Sequence, residues 1–127
     1  MPGTVVQPKI SVLTTVWNGA AHIGQAIESV IQQSFDDWEH IIVDDGSTDE
    51  TLDIIQKCKD PRIRLIIAGK VGRGTALNIG LQACRGEYVA VLDADDLCSR
   101  HRLQQQVELL NSNSHIDLLC GTAAFNE

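Results

Sequence analysis

Long apolar runs and patterned cysteines are both missing from the sequence. No apolar run approaches the roughly 18 residues that a membrane-spanning helix needs, and no basic stretch followed by an apolar one opens the chain. We therefore expect a cytoplasmic protein, with peripheral association at a membrane left open. The spacing of the cysteines argues against a zinc site and against a disulfide framework, because it is wide, irregular and without a Cys-x-x-Cys. We expect reduced core residues at Cys58, Cys84 and Cys120, and we expect Cys98, beside an acidic segment, to be partly exposed.

Positive charge is scarce, since the chain has 10 lysines and arginines but 17 aspartates and glutamates, and its formal net charge is -7. This balance argues against binding of nucleic acid through a basic face. An anionic substrate would need local help from a metal ion, a helix N-terminus or individual cations. The hydrophobic share of 43% and the charged share of 21% are ordinary for a globular protein. The length of 127 residues predicts a single domain that spans residues 1–127.

Apolar and polar stretches alternate along the chain in the way that is typical of an α/β domain. Strands are predicted at residues 10–15, 40–43, 63–67, 88–92 and 116–120. Helices are predicted at 21–33, from a capping box at Ser47–Glu50 to about residue 60, at 75–84, and after an N-cap at Ser99. The strict alternation predicts a three-layer α/β/α fold with a mainly parallel sheet.

Polar segments follow the predicted strands where a parallel sheet would bring them to one edge. They are residues 15–18, the pair Asp44–Asp45, the glycine-rich segment 68–74 and the acidic cluster Asp93–Asp96. Ligands usually bind at this edge of an open α/β sheet. Carboxylates so close together repel one another, and a hard divalent cation that carries a phosphate substrate would relieve the repulsion. The simpler alternative is that the acidic cluster only caps the following helix.

Several common site motifs are absent. Gly72 and Gly74 lie after the third strand, and Leu77 stands where the third glycine of a dinucleotide-binding loop would be. The sequence has no P-loop and no Gly-x-Ser-x-Gly nucleophile elbow. These absences argue against a dinucleotide-binding enzyme, a P-loop nucleotide hydrolase and a serine hydrolase. A nucleotidyltransferase of similar architecture would carry its glycine-rich loop after the first strand, where none is present.

Five blocks of the sequence, taken together, resemble the family 2 glycosyltransferases of the GT-A fold. The blocks are residues 10–19, 26–35, 38–49, 76–80 and 86–96, and they include Asp44-Asp45-Gly46-Ser47 and Asp93-Ala94-Asp95-Asp96. The resemblance implies the N-terminal, donor-binding part of a glycosyltransferase catalytic domain, with a truncated GT-A sheet. It also implies inverting transfer from a UDP-sugar in polysaccharide biosynthesis, with a divalent metal ion, Mn²⁺ or Mg²⁺.

The resemblance also implies a set of site residues. Nucleotide-sugar binding falls to Thr15, Trp17, Asn18, Asp44, Asp45, Arg73 and Asp93. The first three would touch the base, the Asp44–Asp45 pair would bind base and ribose, and Arg73, with Lys70, would reach the base or the pyrophosphate. The metal falls to Asp95 as direct ligand and to Asp93, which would reach the ribose or a metal-bound water.

Simpler roles stay open for some of these residues. Trp17 would equally serve as an aromatic that covers the core at the rim, and Arg73 as an exposed loop cation. Asp96 is expected to orient its loop or to cap the next helix. Where this chain has Thr15-Val16-Trp17-Asn18, the family commonly has Pro-Thr-Tyr-Asn, so the base identity stays open.

Inverting transfer needs a general base that removes the proton of the acceptor hydroxyl. In the family this carboxylate belongs to a later segment, so we expect it beyond Glu127 and predict no catalytic residue in this chain. Residues 1–127 alone would then bind the donor and transfer poorly. The acceptor is an unknown saccharide or lipid-linked saccharide, and an open sheet edge makes a homodimer an expectation. The alternative is a non-catalytic module that binds nucleotide sugars.

Overall fold

The structure of the protein is a computed structural model that describes residues 7–112. The strands of this range are β1 (Ile10–Val16), β2 (Trp38–Asp44), β3 (Ile63–Ile67) and β4 (Tyr88–Val91). The helices that alternate with them are α1 (Ile23–Ile31), α2 (Thr51–Lys57), α3 (Arg73–Ala83) and α4 (Arg102–Ser112). The predicted alternation of strands and helices is therefore confirmed for these residues, and the fifth strand predicted at 116–120 lies outside them.

The four strands form one parallel sheet in the order β3-β2-β1-β4. Ile10 of β1 pairs with Trp38 on one side and with Tyr88 on the other, and His40 of β2 pairs with Ile63 of β3. The two central strands are almost fully buried, as expected for a parallel sheet that is covered on both faces. Because all strands run in one direction, the loops that follow them meet at the same edge.

Helices cover both faces of the sheet, which confirms the three-layer α/β/α architecture. Helices α1, α2 and α4 pack on one face, through the two clusters that contain Val30, Ile55 and Leu103. Helix α3 packs on the other face, where Ala76 joins a cluster with Leu13 of β1. No helix of the described residues is long and apolar enough to cross a membrane.

The capping box predicted at Ser47–Glu50 is wrong. Helix α2 begins at Thr51, and the carboxylate of Asp49 accepts the backbone N–H of Thr51 over 2.9 Å. The hydroxyl of Ser47 instead accepts the N–H of Asn18, in the loop after β1, over 2.8 Å. The segment before α2 is therefore held by the neighbouring loop, and this long-range contact leaves no signal in the local sequence.

Cys98 is buried, which corrects the expectation that it would be partly exposed. Only 4% of its surface is accessible, and it packs in the cluster that contains Leu92, Leu103 and Val107. Burial raises the pKa of the Cys98 thiol. The thiols of Cys58 and Cys84 are free and half-buried, and Cys120 lies outside the described residues. Cys98 therefore anchors the chain that follows the acidic cluster into the core.

Candidate functional site

A cavity of about 400 Å³ lies at the carboxyl edge of the sheet. Its size falls in the range of roughly 300–1,000 Å³ that is usual for small-molecule sites. The residues that line it are Thr15, Val16, Trp17, Asn18, Gly19, His22, Asp45, Arg73, Asp93, Ala94 and Asp95. Seven of these were predicted from the sequence, and the lining joins the loops after β1, β2 and β4 to the start of α3. The acidic residues after β2 and β4 thus share one cavity.

Asp44 was predicted to bind the ligand, but it does not line this cavity, and neither does Lys70. Asp44 is 1% exposed, and its Oδ2 accepts the backbone N–H groups of Gly46 over 3.2 Å and Ser47 over 3.1 Å. Its Oδ1 is buried and has no hydrogen-bond partner in residues 7–112. The structure therefore gives Asp44 a role in the turn that presents Asp45, and any contact with a ligand stays a prediction.

Asp45 connects the end of β2 to the glycine-rich segment. Its Oδ1 accepts the N–H groups of Val71 over 2.8 Å and Gly72 over 2.9 Å. The backbone of Lys70 lies so close to Gly46 that a Cβ at Gly46 would come within 2.9 Å of it. Gly46 also has a φ of 81°, which favours glycine. The turn after β2 therefore fixes the loop that leads into α3, and with it one wall of the cavity.

The loop after β1 is braced against the segment before α2. Asn18 has a φ of 50°, its N–H donates to Ser47, and its Oδ1 accepts the N–H of Thr48 over 2.7 Å. Trp17 is 52% exposed, and the ammonium of Lys70 lies 4.4 Å from the centroid of one of its rings. A cation this close to an indole face is attracted by the ring. The brace leaves the indole at the cavity wall.

Arg73 and Asp93 form an ion pair that joins two walls of the cavity. The Nη2 of Arg73 lies 3.0 Å from the Oδ1 of Asp93, and the side chains are 74% and 51% exposed. Exposed pairs of this kind contribute about 0–1 kcal/mol, because both charges are well hydrated when apart. A ligand that offers Arg73 a phosphate and Asp93 a cation can therefore replace the pair at little cost.

The acidic cluster fits a divalent cation. Asp93, Asp95 and Asp96 are all exposed, and each offers one carboxylate oxygen within 4.8 Å of the other two. Oxygen donors alone are what Mg²⁺ and Mn²⁺ prefer. The backbone N–H of Asp96 donates to the carbonyl of Asp93 over 3.0 Å, so the three residues form a tight turn. The carboxylate of Asp96, which was expected to orient the loop or to cap α4, lies with the other two.

Four residues of the cavity wall were not predicted, namely Val16, Gly19, His22 and Ala94. His22 is the informative omission, because it is a polar residue that belongs to none of the segments assigned to the site. Its position directly before α1 and four residues after Asn18 was the available signal, since the loop after the first strand was already assigned to the same edge.

Comparison with known proteins identifies relatives of this chain. The model of the family described as glycosyl transferase family 2 matches residues 11–127. An uncharacterized glycosyltransferase of Nostoc sp. is 39% identical over 122 residues, which cover 89% of this chain and 38% of that protein.

Two solved structures of glycosyltransferases share the fold of this chain. Residues 1–349 of TarS of S. aureus, in complex with UDP-GlcNAc, superpose with a TM-score of 0.76 at 24% identity, over 94% of this chain and 38% of that part of TarS. The mannosyltransferase PcManGT of Pyrobaculum calidifontis, in complex with GDP-Man and Mn²⁺, has a TM-score of 0.71 at 27% identity, over 83% of this chain and 33% of PcManGT. The chain therefore spans about a third of PcManGT and about two fifths of the Nostoc protein, and only part of TarS.

Proposed function

The chain belongs to glycosyl transferase family 2, and from this premise we propose that its cavity binds the donor of a sugar transfer, a nucleoside-diphosphate sugar. The observation that carries the proposal is that Asp45, Arg73 and Asp95 line one cavity. A nucleotide-sugar presents a base with donor groups, two phosphates and a sugar, and these three residues supply an acceptor, a cation and a cation-binding carboxylate for them. Two structural neighbours, TarS and PcManGT, were crystallised with UDP-GlcNAc and GDP-Man.

The roles that we assign to single residues follow from where they lie. Trp17 and Thr15 would contact the base, with the exposed indole stacked on a base or ribose. Asp45 would accept a hydrogen bond from the base, and uracil, with its N–H, suits this acceptor, so we propose UDP-sugar as donor. Asn18 supports this wall through its bond to Thr48. Arg73 would leave Asp93 and bind the pyrophosphate.

We assign a divalent metal ion, Mn²⁺ or Mg²⁺, to Asp95 and Asp93, with Asp96 as a further oxygen donor. When bound there, the metal would neutralise charge on the departing nucleoside diphosphate. Asp93 and Asp95 line the cavity, close to where Arg73 would bind the phosphates. The complex of PcManGT contains Mn²⁺, which supports a metal role in this fold.

The sugar transfer itself needs groups that we place outside residues 1–127. We propose that residues 1–127 form the donor-binding part of the catalytic domain and that the transfer inverts the anomeric centre. The general base for the acceptor hydroxyl would come from outside these residues. A saccharide or lipid-linked saccharide as acceptor and a homodimer stay predictions.

Titration calorimetry with nucleoside diphosphates tests the proposal. We expect UDP to bind the chain more tightly with Mn²⁺ than without it, and we expect Asp95→Ala to remove most of the gain, because the main oxygen ligand is lost. Asp37→Ala is the matched control, since Asp37 is exposed and precedes β2 at the opposite edge of the sheet. UDP binding that ignores both Mn²⁺ and Asp95→Ala would contradict the metal role. If neither UDP nor GDP nor ADP binds, the donor site itself is wrong.

A further inference from the structure

The chain that follows the acidic cluster is fastened to the end of helix α1 rather than to the sheet. The hydroxyl of Ser29 accepts the N–H of Cys98 over 2.9 Å. The side-chain amide of Gln33 donates to the carbonyls of Ser99 over 2.7 Å and Cys98 over 3.2 Å. The N–H of Ser34 donates to the carbonyl of Arg100 over 3.0 Å. Residues 98–100 belong to no helix or strand, so their backbone groups depend on these contacts.

Gln33 also caps helix α4. Its Oε1 accepts the N–H of Leu103, in the first turn of α4, over 3.1 Å. The first N–H groups of a helix have no partner within the helix, and a side-chain oxygen normally satisfies one of them. The cap that was predicted from the side chain of Ser99 is therefore wrong within residues 7–112, because the cap comes from another helix.

The contacts of Gln33 require an amide at this position. The side chain is 8% exposed, and it both donates to carbonyl oxygens and accepts from an N–H group. A hydrophobic residue of the same length fills the space but leaves these backbone groups without partners. Packing alone therefore does not explain why a glutamine lies there.

The acidic cluster lies between this attachment and strand β4. On the β4 side, the N–H of Leu92 donates to the carbonyl of Leu13 over 2.9 Å. On the other side, Cys98 follows Asp95 after only two residues. The carboxylates of Asp95 and Asp96 accept no hydrogen bond from the described residues, so the backbone on either side sets their positions.

We propose that Gln33, assisted by Ser29, is a positioning residue for the metal-binding carboxylates of the acidic cluster. The inference rests on the proposed function, because it assigns Gln33 to the metal half of that site. The base half of the site is held by other contacts, since Asp45 bonds to Val71 and Gly72. Loss of the glutamine amide therefore loosens the carboxylates and leaves the base-binding wall in place.

The test compares UDP affinity with and without Mn²⁺ in variants of residues 1–127. Titration calorimetry gives the dissociation constant of UDP without Mn²⁺ and with Mn²⁺. The ratio of the first constant to the second reports the metal contribution alone. We expect Gln33→Met to lower this ratio by about tenfold, as is usual when groups that orient metal ligands are removed, and to leave the metal-free affinity unchanged. The matched control is Gln32→Met, because the neighbouring Gln32 is exposed and its side chain, among the described residues, bonds only to Glu28 on the surface. Its ratio should equal that of the wild type.

Ser29→Ala gives a milder variant, which removes one acceptor and decides the outcome if Gln33→Met does not fold. It should lower the same ratio by a smaller factor. Equal losses of affinity with and without Mn²⁺ would show a general structural role and overturn the inference. An unchanged ratio in both variants, beside a clear gain with Mn²⁺ in the wild type, would overturn the inference alone. Absence of any gain with Mn²⁺ in the wild type would overturn the metal role and the inference together.

Discussion

At the scale of single residues, His40 is a fully buried ionisable group in the middle of the sheet. Its Nε2 lies 2.9 Å from the hydroxyl of Thr14, and its Nδ1 has no partner in the described part of the chain. Burial lowers the pKa of His40 from 6.5 to about 3, because a charged imidazole would lose its hydration. The folded protein therefore holds this side chain neutral at pH values where an unfolded chain binds a proton.

This pKa predicts acid sensitivity of a definite sign. Below pH 6.5 the unfolded state takes up a proton that the folded state refuses, so stability is lost as the pH falls towards 3. Between pH 6.5 and 5, where carboxylates stay ionised, the free energy of unfolding should fall by up to about 2 kcal/mol. Urea unfolding followed by tryptophan fluorescence measures this decrease. It should be smaller in His40→Gln, whereas His101→Gln, at an exposed position, should behave like the wild type. Equal slopes in all three proteins would contradict the burial argument.

For the aspartates of the site, the sequence predicts the edge of the sheet at which they lie but not the direction of each side chain. Asp45, Asp93 and Asp95 were placed at one edge because each follows a buried strand, and the cavity confirms that position. Whether a carboxylate faces a ligand or the backbone was not predictable, because Asp44 and Asp45 are neighbours with the same chemistry. The turn at Gly46 and Ser47 takes up the Asp44 carboxylate. That choice depends on loop geometry in three dimensions.

At the scale of elements, the packing of α3 on the sheet depends on Gly80. A Cβ at this position would lie 2.3 Å from the Cδ1 of Leu13 and 3.0 Å from the Cγ2 of Val43. Both neighbours are fully buried, so the side chain of Leu13 would have to shift within the core. The glycine thus allows the helix to approach two central strands closely, although glycine lowers the intrinsic stability of a helix by about 1 kcal/mol.

A pair of substitutions in α3 separates packing from helix propensity. Gly80→Ala should lower the free energy of unfolding by about 1–3 kcal/mol, because overpacking outweighs the gain in propensity. Gly74→Ala, in the first turn of the same helix, has nothing within 4 Å of the added Cβ and should be neutral or stabilising. Chemical denaturation of both variants measures the difference. Equal stabilisation by the two alanines would show that the helix can move away from the sheet.

Elements were predictable where their signal is local. The strand–helix order follows from hydrophobic periodicity and agrees with the structure for all eight elements of residues 7–112. The start of α4 was less predictable, because its cap comes from a distant residue, with Gln33 accepting the N–H of Leu103. The burial of Cys98 has the same cause, since α1 draws the segment after the acidic cluster into the core.

At the scale of the whole molecule, the cavity is shared by segments from across the sequence. Its wall extends from Thr15 to Asp95, so a ligand contacts loops that are far apart in the chain. A ligand that binds only the folded protein stabilises the molecule as a unit, by about 2.7 kcal/mol at a concentration 100 times the dissociation constant. Thermal unfolding therefore reports on the assembled site.

Differential scanning calorimetry should show one transition that moves to higher temperature when UDP and Mn²⁺ are added together. Uridine with Mn²⁺ is the control, because it offers the base without the phosphates that carry the metal. It should cause a much smaller shift. Shifts of equal size would show that the phosphates and the metal contribute nothing, and two separate transitions would show that the cavity joins independently folding parts.

Strand β4, which the acidic cluster follows, has the fewest paired residues of the four strands in the described sheet. Strand β4 pairs with β1 only from Ile10–Tyr88 to Leu13–Val91, while β1 pairs with β2 along all seven of its residues. Within residues 7–112, one face of β4 is also exposed, since the accessible fractions of Val89 and Val91 are 42% and 48%. Free energies of partial opening scale with such contacts. We therefore expect the end of the cavity that contains the acidic cluster to open at the lowest free energy. A cation bound there, as we propose, would be released by a partial opening that leaves the other three strands paired.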